Sequence, residues 1–171
     1  MASKVEVKVA DCLEETYHML NNGGLILASA GRDGRPNLMV IGWGLVGTMW
    51  VKPVFTVAVR PSRHTYRLIE ETGEFTVNVP KRGMENIVAY CGSVSGRDHD
   101  KFKEKNLTPL KGKRIQTPIV SECALNYQCK VIYKVKLDPN GLPSEILSAR
   151  YPSGDYHTIY FGEILTVLAD K

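Results

Sequence analysis

The strongest constraint on the fold is a period-two alternation of apolar and polar residues over Leu125–Leu137. Apolar side chains occupy every second position, namely Leu125, Tyr127, Cys129, Val131, Tyr133, Val135 and Leu137. Polar side chains fill most positions between them, namely Asn126, Gln128, Lys130, Lys134 and Lys136, with Ile132 as the exception. Because successive side chains of a β-strand point to opposite faces of its sheet, the run predicts one long strand with one buried and one solvated face.

Shorter apolar runs, separated by turn residues, predict further strands. They cover residues 25–30, 37–41, 54–59, 75–79 and 156–168, and residues 145–150 are expected to form a return strand. The turn-rich segment Gly31–Pro36 predicts a hairpin between the first two. Glycines at positions 42, 44 and 47 predict a corner after the second strand. Residues 1–10 predict a loose arm or an edge strand.

Few segments have helical character. Helices are predicted over residues 11–20, capped by Asp11, over residues 65–72, capped by Ser62 and ended by Gly73, and over residues 84–90. A short helical turn is expected near residues 98–102. Many short strands with few helices favour a mainly β fold, a β-barrel rather than a doubly wound sheet. The length of 171 residues fits one domain over residues 1–171.

Composition and charge narrow the class of protein. Hydrophobic residues make up 43% of the chain and the net charge is +4, which fits an anionic small ligand and does not indicate nucleic acid. The first fifteen residues contain no signal-peptide core, and no apolar run approaches a membrane span. The four cysteines and four histidines lack the spacing of metal ligands or of a disulfide framework. We therefore expect a cytoplasmic protein with free thiols and no metal.

Two guanidinium groups and two hydroxyl groups cluster where the strand over residues 54–59 gives way to a helix. The residues are Arg60, Ser62, Arg63 and Thr65, with His64 between them. A helix N-terminus presents unpaired N–H groups and a partial positive charge, and arginine forks match phosphate oxygens. The cluster predicts a site for a phosphate monoester.

The segment Met39–Gly44 lies just before this cluster and contains a tryptophan flanked by two glycines. Glycines let a backbone approach a flat ligand closely. The run Gly42–Gly47 also matches G-x-G-x-x-G, but a dinucleotide fingerprint requires a long helix directly afterwards. Pro53 follows too soon for that helix, so the glycines are interpreted as approach points for a ring system.

A second polar cluster occupies Ser95–Phe102 within a long loop between Cys91 and Gln116. Lys101 can add a positive charge to a phosphate site, and Ser95 with the Gly96 backbone can donate hydrogen bonds. Long ordered loops in compact domains usually serve a binding site.

These pieces together resemble the flavin reductase-like family of FMN-binding split barrels, and within it the flavoredoxin type. The matching segments are Asn37–Gly44, Lys52–Pro53, Val57–Tyr66, Gly73–Val79, Ser95–Asp98 and Lys101–Phe102. The resemblance implies a split β-barrel of Greek-key type, FMN as cofactor, and a homodimer with FMN near the interface. The cofactor-binding residues it implies are Asn37, Met39, Val40, Ile41, Gly42, Trp43, Arg60, Ser62, Arg63, Thr65, Ser95, Gly96, Lys101 and Phe102.

The resemblance also implies a reaction. Hydride would pass from NAD(P)H to the flavin, and electrons would pass onward to an acceptor. His157 is a weak candidate for a catalytic role, because relatives carry Gly-Asp-His where this chain has the longer Gly154-Asp155-Tyr156-His157.

Other functions remain open at the level of sequence. One is a flavoredoxin-type electron carrier that holds FMN tightly and receives electrons from a redox protein. A second is a binding module without redox chemistry, on a barrel of the oligonucleotide-binding type. The pyridoxamine-phosphate-oxidase-like enzymes share the split barrel, but the Arg60–Thr65 and Ser95–Phe102 patterns fit the flavin reductase family better.

Overall fold

The computed structural model describes residues 3–171. Its strands are β1 (Lys4–Val7), β2 (Leu25–Ala30), β3 (Pro36–Ile41), β4 (Gly44–Met49), β5 (Lys52–Val59), β6 (Glu74–Val79), β7 (Pro109–Leu110), β8 (Ile119–Val120), β9 (Leu125–Lys136) and β10 (Thr158–Asp170). Its helices are α1 (Leu13–Asn21), α2 (His64–Thr72), α3 (Glu85–Ser93), α4 (Lys101–Glu104) and α5 (Ser144–Arg150). Single 3-10 turns occupy Val9–Cys12 and Pro139–Gly141.

One antiparallel sheet of eight strands forms the body of the molecule, in the order β3-β2-β6-β9-β10-β5-β4, with β1 paired to β10. The two longest strands, β9 and β10, pair with each other along most of their lengths. The short strands β7 and β8 form a separate pair. The fold is therefore the mainly β split barrel that the sequence predicts.

Two apolar cores stabilise the fold. The barrel interior holds fully buried side chains such as Phe55, Phe75 and Tyr127. The second core lies where α3 and α4 pack on β3, and it includes Leu38 and Val88. This second core fixes the helices and the intervening loop over the edge strand β3, where the site described below is found.

The prediction of a long strand over Leu125–Leu137 is correct in extent, since β9 covers Leu125–Lys136, but wrong about which side chains are buried. Asn126 and Gln128, predicted to face solvent, are fully buried. Their side chains bind the backbone of the preceding segment, since Asn126 Nδ2 donates to Val120 O at 2.9 Å and Arg114 N donates to Gln128 Oε1 at 2.9 Å. Beyond Cys129 the strand is mostly exposed, including the predicted apolar face at Tyr133 and Val135.

The predicted glycine corner is instead the strand β4. It forms a hairpin with β5 through Trp50 and Val51, both of which have positive φ. A β-carbon at position 44 would lie 2.8 Å from Thr56 O, so glycine there permits close strand pairing. The element that directly follows Gly42–Gly47 is the strand β5 and not a helix, as expected if the run is not a dinucleotide fingerprint.

Residues 145–150 form helix α5 and not the predicted strand. Pro143 occupies its N-cap position, where the missing backbone N–H costs the helix no hydrogen bond. The predicted caps are also wrong, because the N-cap positions of α1 and α2 are Cys12 and Arg63, neither with a capping side chain. Gly73 ends α2 in the left-handed conformation, as predicted. None of the helices formed by residues 3–171 has the length and apolar character needed to cross a membrane.

Candidate functional site

A cleft of about 370 Å³ lies between β3, the β5–α2 turn, the α3–α4 loop and the residue before β10. Its walls include the β3 backbone from Asn37 to Ile41, the β5–α2 turn from Arg60 to Thr65, and the loop from Gly92 to Arg97. The volume lies within the range of small-molecule sites. The fold therefore brings together segments that are more than fifty residues apart in the chain.

Thirteen of the fourteen cofactor-binding residues predicted from the sequence line this cleft. They are Asn37, Met39, Val40, Ile41, Gly42, Trp43, Arg60, Ser62, Arg63, Thr65, Ser95, Gly96 and Lys101. The exception is Phe102, which is 4% exposed and packs in the second core. Phe102 shares this core with Leu38, so its predicted contact with the cofactor is not supported by the lining of the cleft.

One end of the cleft is the N-terminus of α2. Thr65 is buried there, and its hydroxyl accepts a hydrogen bond from Asn37 Nδ2 at 2.7 Å. The Arg63 side chain is exposed and forms no hydrogen bond or ion pair with residues 3–171. The free N–H groups of a first helical turn together with this guanidinium are suited to an anion.

Arg60 is largely committed to the protein itself. Its guanidinium donates to the carbonyl oxygens of Arg150, Gly154 and Asp155 at 2.7, 3.3 and 3.1 Å. The guanidinium carbon also lies 4.9 Å from the centre of the Tyr151 ring. Arg60 therefore braces the segment 150–155 against the cleft and keeps only part of its donor set for a ligand.

Ser62 is likewise bonded to this segment. Its hydroxyl donates to Asp155 Oδ2 at 2.6 Å and its backbone N–H donates to Oδ1 at 3.3 Å. Asp155 adopts a positive φ of 55°. A carboxylate thus already binds the two Ser62 donors for which the sequence predicts a phosphate.

Lys101 is 4% exposed and lines the cleft from beneath. Its ammonium donates to Leu38 O and Cys91 O, both at 2.7 Å, and so joins β3 to α3. Burial is the main influence on the Lys101 pKa and lowers it. The Cys91 thiol raises this pKa by a smaller amount, and the Arg63 charge lowers it slightly further. Two of the three N–H groups of the Lys101 ammonium are used in these hydrogen bonds, which leaves one for a ligand.

The loop over the cleft is in unusually close contact with β3. A β-carbon at position 96 would lie 1.7 Å from Asn37 Oδ1, so only glycine fits there. At Gly42, by contrast, an added β-carbon would meet nothing within 4 Å. The Gly42 backbone is therefore open to a flat group lying in the cleft.

His157 forms the opposite wall together with aromatic neighbours. Its ring is 8% exposed, its Nδ1 lies 2.7 Å from Tyr151 Oη, and its centre lies 5.0 Å from that of Trp43. Burial, followed by the Arg60 charge, lowers the His157 pKa to about 4, although Asp155 acts in the opposite direction. The ring is therefore neutral at physiological pH.

Several residues of the site are absent from the set of cofactor-binding residues predicted from the sequence. Cys91 and Arg97 line the cleft, and the Arg97 guanidinium donates to Ser62 O at 3.1 Å. Tyr151 contacts His157 and Arg60. Arg97 could have been found from its position in the Ser95–Phe102 cluster, whereas nothing in the local sequence distinguishes Tyr151.

The electrostatic character of the cleft is positive. Arg60, Arg63, Arg97 and Lys101 line it, and no carboxylate of the described residues does so. Burial and the neighbouring Arg67 and Arg97 charges lower the pKa of His64. Within residues 3–171 no group of three or more His, Cys, Asp or Glu side chains is arranged to hold a metal ion. The four cysteines are buried free thiols.

Comparison with known proteins places this geometry in context. The model of the flavin reductase like domain matches residues 18–171. An uncharacterized protein of Archaeoglobus fulgidus is 32% identical over 133 residues, which is 78% of this chain and 65% of that protein. The chain thus spans slightly less than two thirds of that relative.

Two solved structures share the fold. Flavoredoxin of Desulfovibrio vulgaris (Miyazaki F) matches with a TM-score of 0.70 and 29% identity, covering 86% of this chain and 69% of that one. An FMN-binding domain of a flavin reductases-like enzyme from Shewanella baltica OS155 matches with a TM-score of 0.70 and 24% identity, covering 99% of this chain and 78% of that one. The second match bears on the fold alone.

Proposed function

Because the chain belongs to the flavin reductase like domain family, we propose that it is an FMN-binding oxidoreductase that takes hydride from NAD(P)H and passes electrons to an acceptor. The observation that carries the proposal is the cleft lined by four cationic side chains and no carboxylate of residues 3–171. A cleft of this charge favours a ligand that carries a phosphate. FMN bound there supplies the redox chemistry, so the protein itself needs no nucleophile or metal.

The described residues fit FMN. Arg63 and the first turn of α2 would hold the phosphate, with Arg97 and the free donors of Arg60 and Lys101 nearby. The backbone of Met39–Trp43 would line the ring system, because Gly42 leaves the space above it open. Of the sequence-predicted phosphate ligands, Ser62 fits least well, since Asp155 accepts hydrogen bonds from both of its donors.

A second candidate is an electron carrier with tightly bound FMN and a redox protein as electron donor. It is favoured by the 29% identity to the flavoredoxin of Desulfovibrio vulgaris. Both candidates use the same cleft. They are distinguished by the rate at which the loaded protein oxidises NADH and NADPH in the absence of other proteins.

We also propose a homodimer that buries the apolar surface beside the cleft. A groove of about 920 Å³ shares Trp43 with the cleft, and Leu13, Tyr17 and Leu45 are exposed along it. Exposed apolar patches of this kind usually mark an interface. Light scattering is expected to give twice the chain mass, and Leu45→Lys is expected to weaken association. Val51→Lys is the matched control, because Val51 is 97% exposed and lies outside the groove. A monomer at micromolar concentration would contradict the dimer.

The first test of the proposed function is the visible absorption spectrum of the purified protein, followed by chromatography of any material released on denaturation. A flavin spectrum with released FMN supports the proposal. A colourless protein that does not take up added FMN would refute it.

A further inference from the structure

The hydroxyl of Tyr151 and the imidazole of His157 form a buried pair at the edge of the cleft. The two side chains are 6% and 8% exposed, and Tyr151 Oη lies 2.7 Å from His157 Nδ1. His157 borders the cleft, whereas Tyr151 lies behind it and does not. Tyr151 can therefore influence a ligand only indirectly, through its hydrogen bond to His157 or through Arg60, whose guanidinium lies over its ring.

The hydrogen bonds available to Tyr151 and His157 indicate which of the two atoms, Oη or Nδ1, is the donor. A phenol carries one proton, and Tyr151 Oη has no hydrogen-bond partner other than His157 within residues 3–171. If Nδ1 carried the proton and donated it, the tyrosine proton would have no acceptor among residues 3–171, which is unfavourable in a buried position. In the opposite arrangement the proton without a protein partner is on Nε2 of His157, a residue that borders the cleft. Tyr151 therefore donates to Nδ1, and the neutral ring carries its proton on Nε2.

Neighbouring groups hold the pair in this arrangement. Arg60 stacks on the Tyr151 ring at 4.9 Å and anchors the surrounding carbonyl oxygens, and Trp43 packs against the His157 ring at 5.0 Å. His157 Nε2 makes no hydrogen bond with the described residues. Its N–H is thus available to the cleft.

We infer that Tyr151 is a positioning residue that fixes His157 as a hydrogen-bond donor, through Nε2–H, to an uncharged carbonyl oxygen of the bound ligand. This inference rests on the proposed function for the identity of the ligand, but the tautomer itself does not. A flavin carbonyl and a nicotinamide carboxamide offer the same acceptor chemistry. In either case His157 holds a proton at Nε2 and does not act as a general base.

The tautomer is tested by nitrogen-15 NMR of the histidine side chains, on the protein as purified and after loading with FMN. His157→Gln assigns the signal among the four histidines. The wild-type spectrum is expected to show a protonated Nε2 and an unprotonated Nδ1, and Tyr151→Phe is expected to bring the two nitrogens toward averaged shifts. Tyr156→Phe is the matched control, because its ring lies 5.2 Å from that of Tyr151 but its hydroxyl forms no hydrogen bond with residues 3–171.

A protonated Nδ1 in the wild type, or an unchanged ring in Tyr151→Phe, would overturn the inference. Since this spectrum needs neither flavin nor turnover, it stands even if the protein fails to bind FMN and the proposed function is lost. A downfield shift of the Nε2–H proton on adding FMN, which a new hydrogen bond produces, identifies a flavin carbonyl as the acceptor. The same change only after adding NADP⁺ or NAD⁺ to the loaded protein identifies the carboxamide, and no change with any of them overturns the donor role.

Kinetics provide a second readout. If the acceptor is the carboxamide, Tyr151→Phe is expected to raise KM for the nicotinamide substrate about fivefold to tenfold, the size expected for one neutral hydrogen bond. We expect kcat and FMN retention to change less than about twofold. A merely structural role would instead lower FMN retention and thermal stability together.

Discussion

The Asn37 side chain lies so close to Gly96 that a β-carbon at position 96 would be 1.7 Å from Asn37 Oδ1. Asn37 is itself fixed, because its Nδ2 donates to Thr65 Oγ1 at 2.7 Å. The loop over the cleft, the strand β3 and the first turn of α2 therefore meet at one point. Any side chain at position 96 must either displace the loop or move the Asn37 side chain from its hydrogen bond with Thr65.

We expect Gly96→Ala to weaken FMN binding by about tenfold or more, corresponding to ~1.4 kcal/mol, because the loop is displaced from β3. Titration of the apoprotein with FMN, followed by flavin fluorescence, measures the change. The double variant Asn37→Ala, Gly96→Ala is expected to recover part of the affinity, since it removes the colliding amide. Gly47→Ala is the control, because a β-carbon there meets nothing within 4 Å. Unaltered affinity in Gly96→Ala would show that this contact does not shape the cleft.

The two arginines of the β5–α2 turn are expected to differ in their effects. Arg63 has no partner in the described residues, so Arg63→Ala should weaken FMN by about 1.5–3 kcal/mol, the range for a charged hydrogen bond, with little change in Tm. Arg60→Ala should lower Tm as well, because three carbonyl oxygens of residues 150–155 lose their donor. Flavin retention and thermal unfolding of the two variants measure the difference. Equal Tm values would argue against a bracing role for Arg60.

Lys101 is expected to contribute more to stability than its neighbours on α4. Lys101→Met removes two hydrogen bonds from a buried ammonium, to Leu38 O and Cys91 O, and should reduce the free energy of unfolding by about 2–4 kcal/mol. Lys103→Met is the matched control, since Lys103 is exposed and its ion pair with Asp100 should be worth less than about 1 kcal/mol. Urea unfolding at pH 7 compares them. Similar losses in both variants would mean that the Lys101 brace is not a stabilising feature.

The strands β2, β3, β5, β6, β9 and β10 and the segments that line the cleft were predictable because their signals are local. Turn residues fix the bounds of β2 and β3, and the arginines and hydroxyls of the β5–α2 turn cluster within six positions. Local patterns could not reveal that Asn126 and Gln128 are buried, because the chain that covers them precedes them and carries no periodicity.

The partners of the site residues were also beyond the sequence. Arg60 binds carbonyl oxygens ninety or more residues later, and a backbone carbonyl is present in every residue, so no residue type marks it. The same holds for Ser62 and Asp155, whose contact depends on the left-handed turn at Asp155. A cluster of donors thus predicts an anion site but cannot say which donors the protein has already used.

The low pKa of His157 has a consequence for stability that can be measured. In the unfolded chain a histidine binds a proton below pH ~6.5, whereas the folded His157 does so only below about 4, because of burial and the Arg60 and Arg63 charges, partly offset by Asp155. Between these values the unfolded state holds more protons, so the free energy of unfolding falls as the pH falls. We expect the titration of His157 to change the free energy of unfolding by about 1–2 kcal/mol in total. This total is smaller than the full pKa difference multiplied by ~1.4 kcal/mol per unit, because the ring borders an open cleft where solvent weakens the effect.

Urea unfolding of wild type and His157→Gln at pH values from 7 to 5 isolates this contribution, since carboxylates titrate mainly below that range. The variant should lose less stability over this interval than the wild type. His64→Gln is the comparison, because burial also lowers the His64 pKa, and that ring contributes in the same direction. Parallel curves for wild type and His157→Gln would mean that His157 titrates alike in both states, and would contradict a neutral, buried ring beside Tyr151.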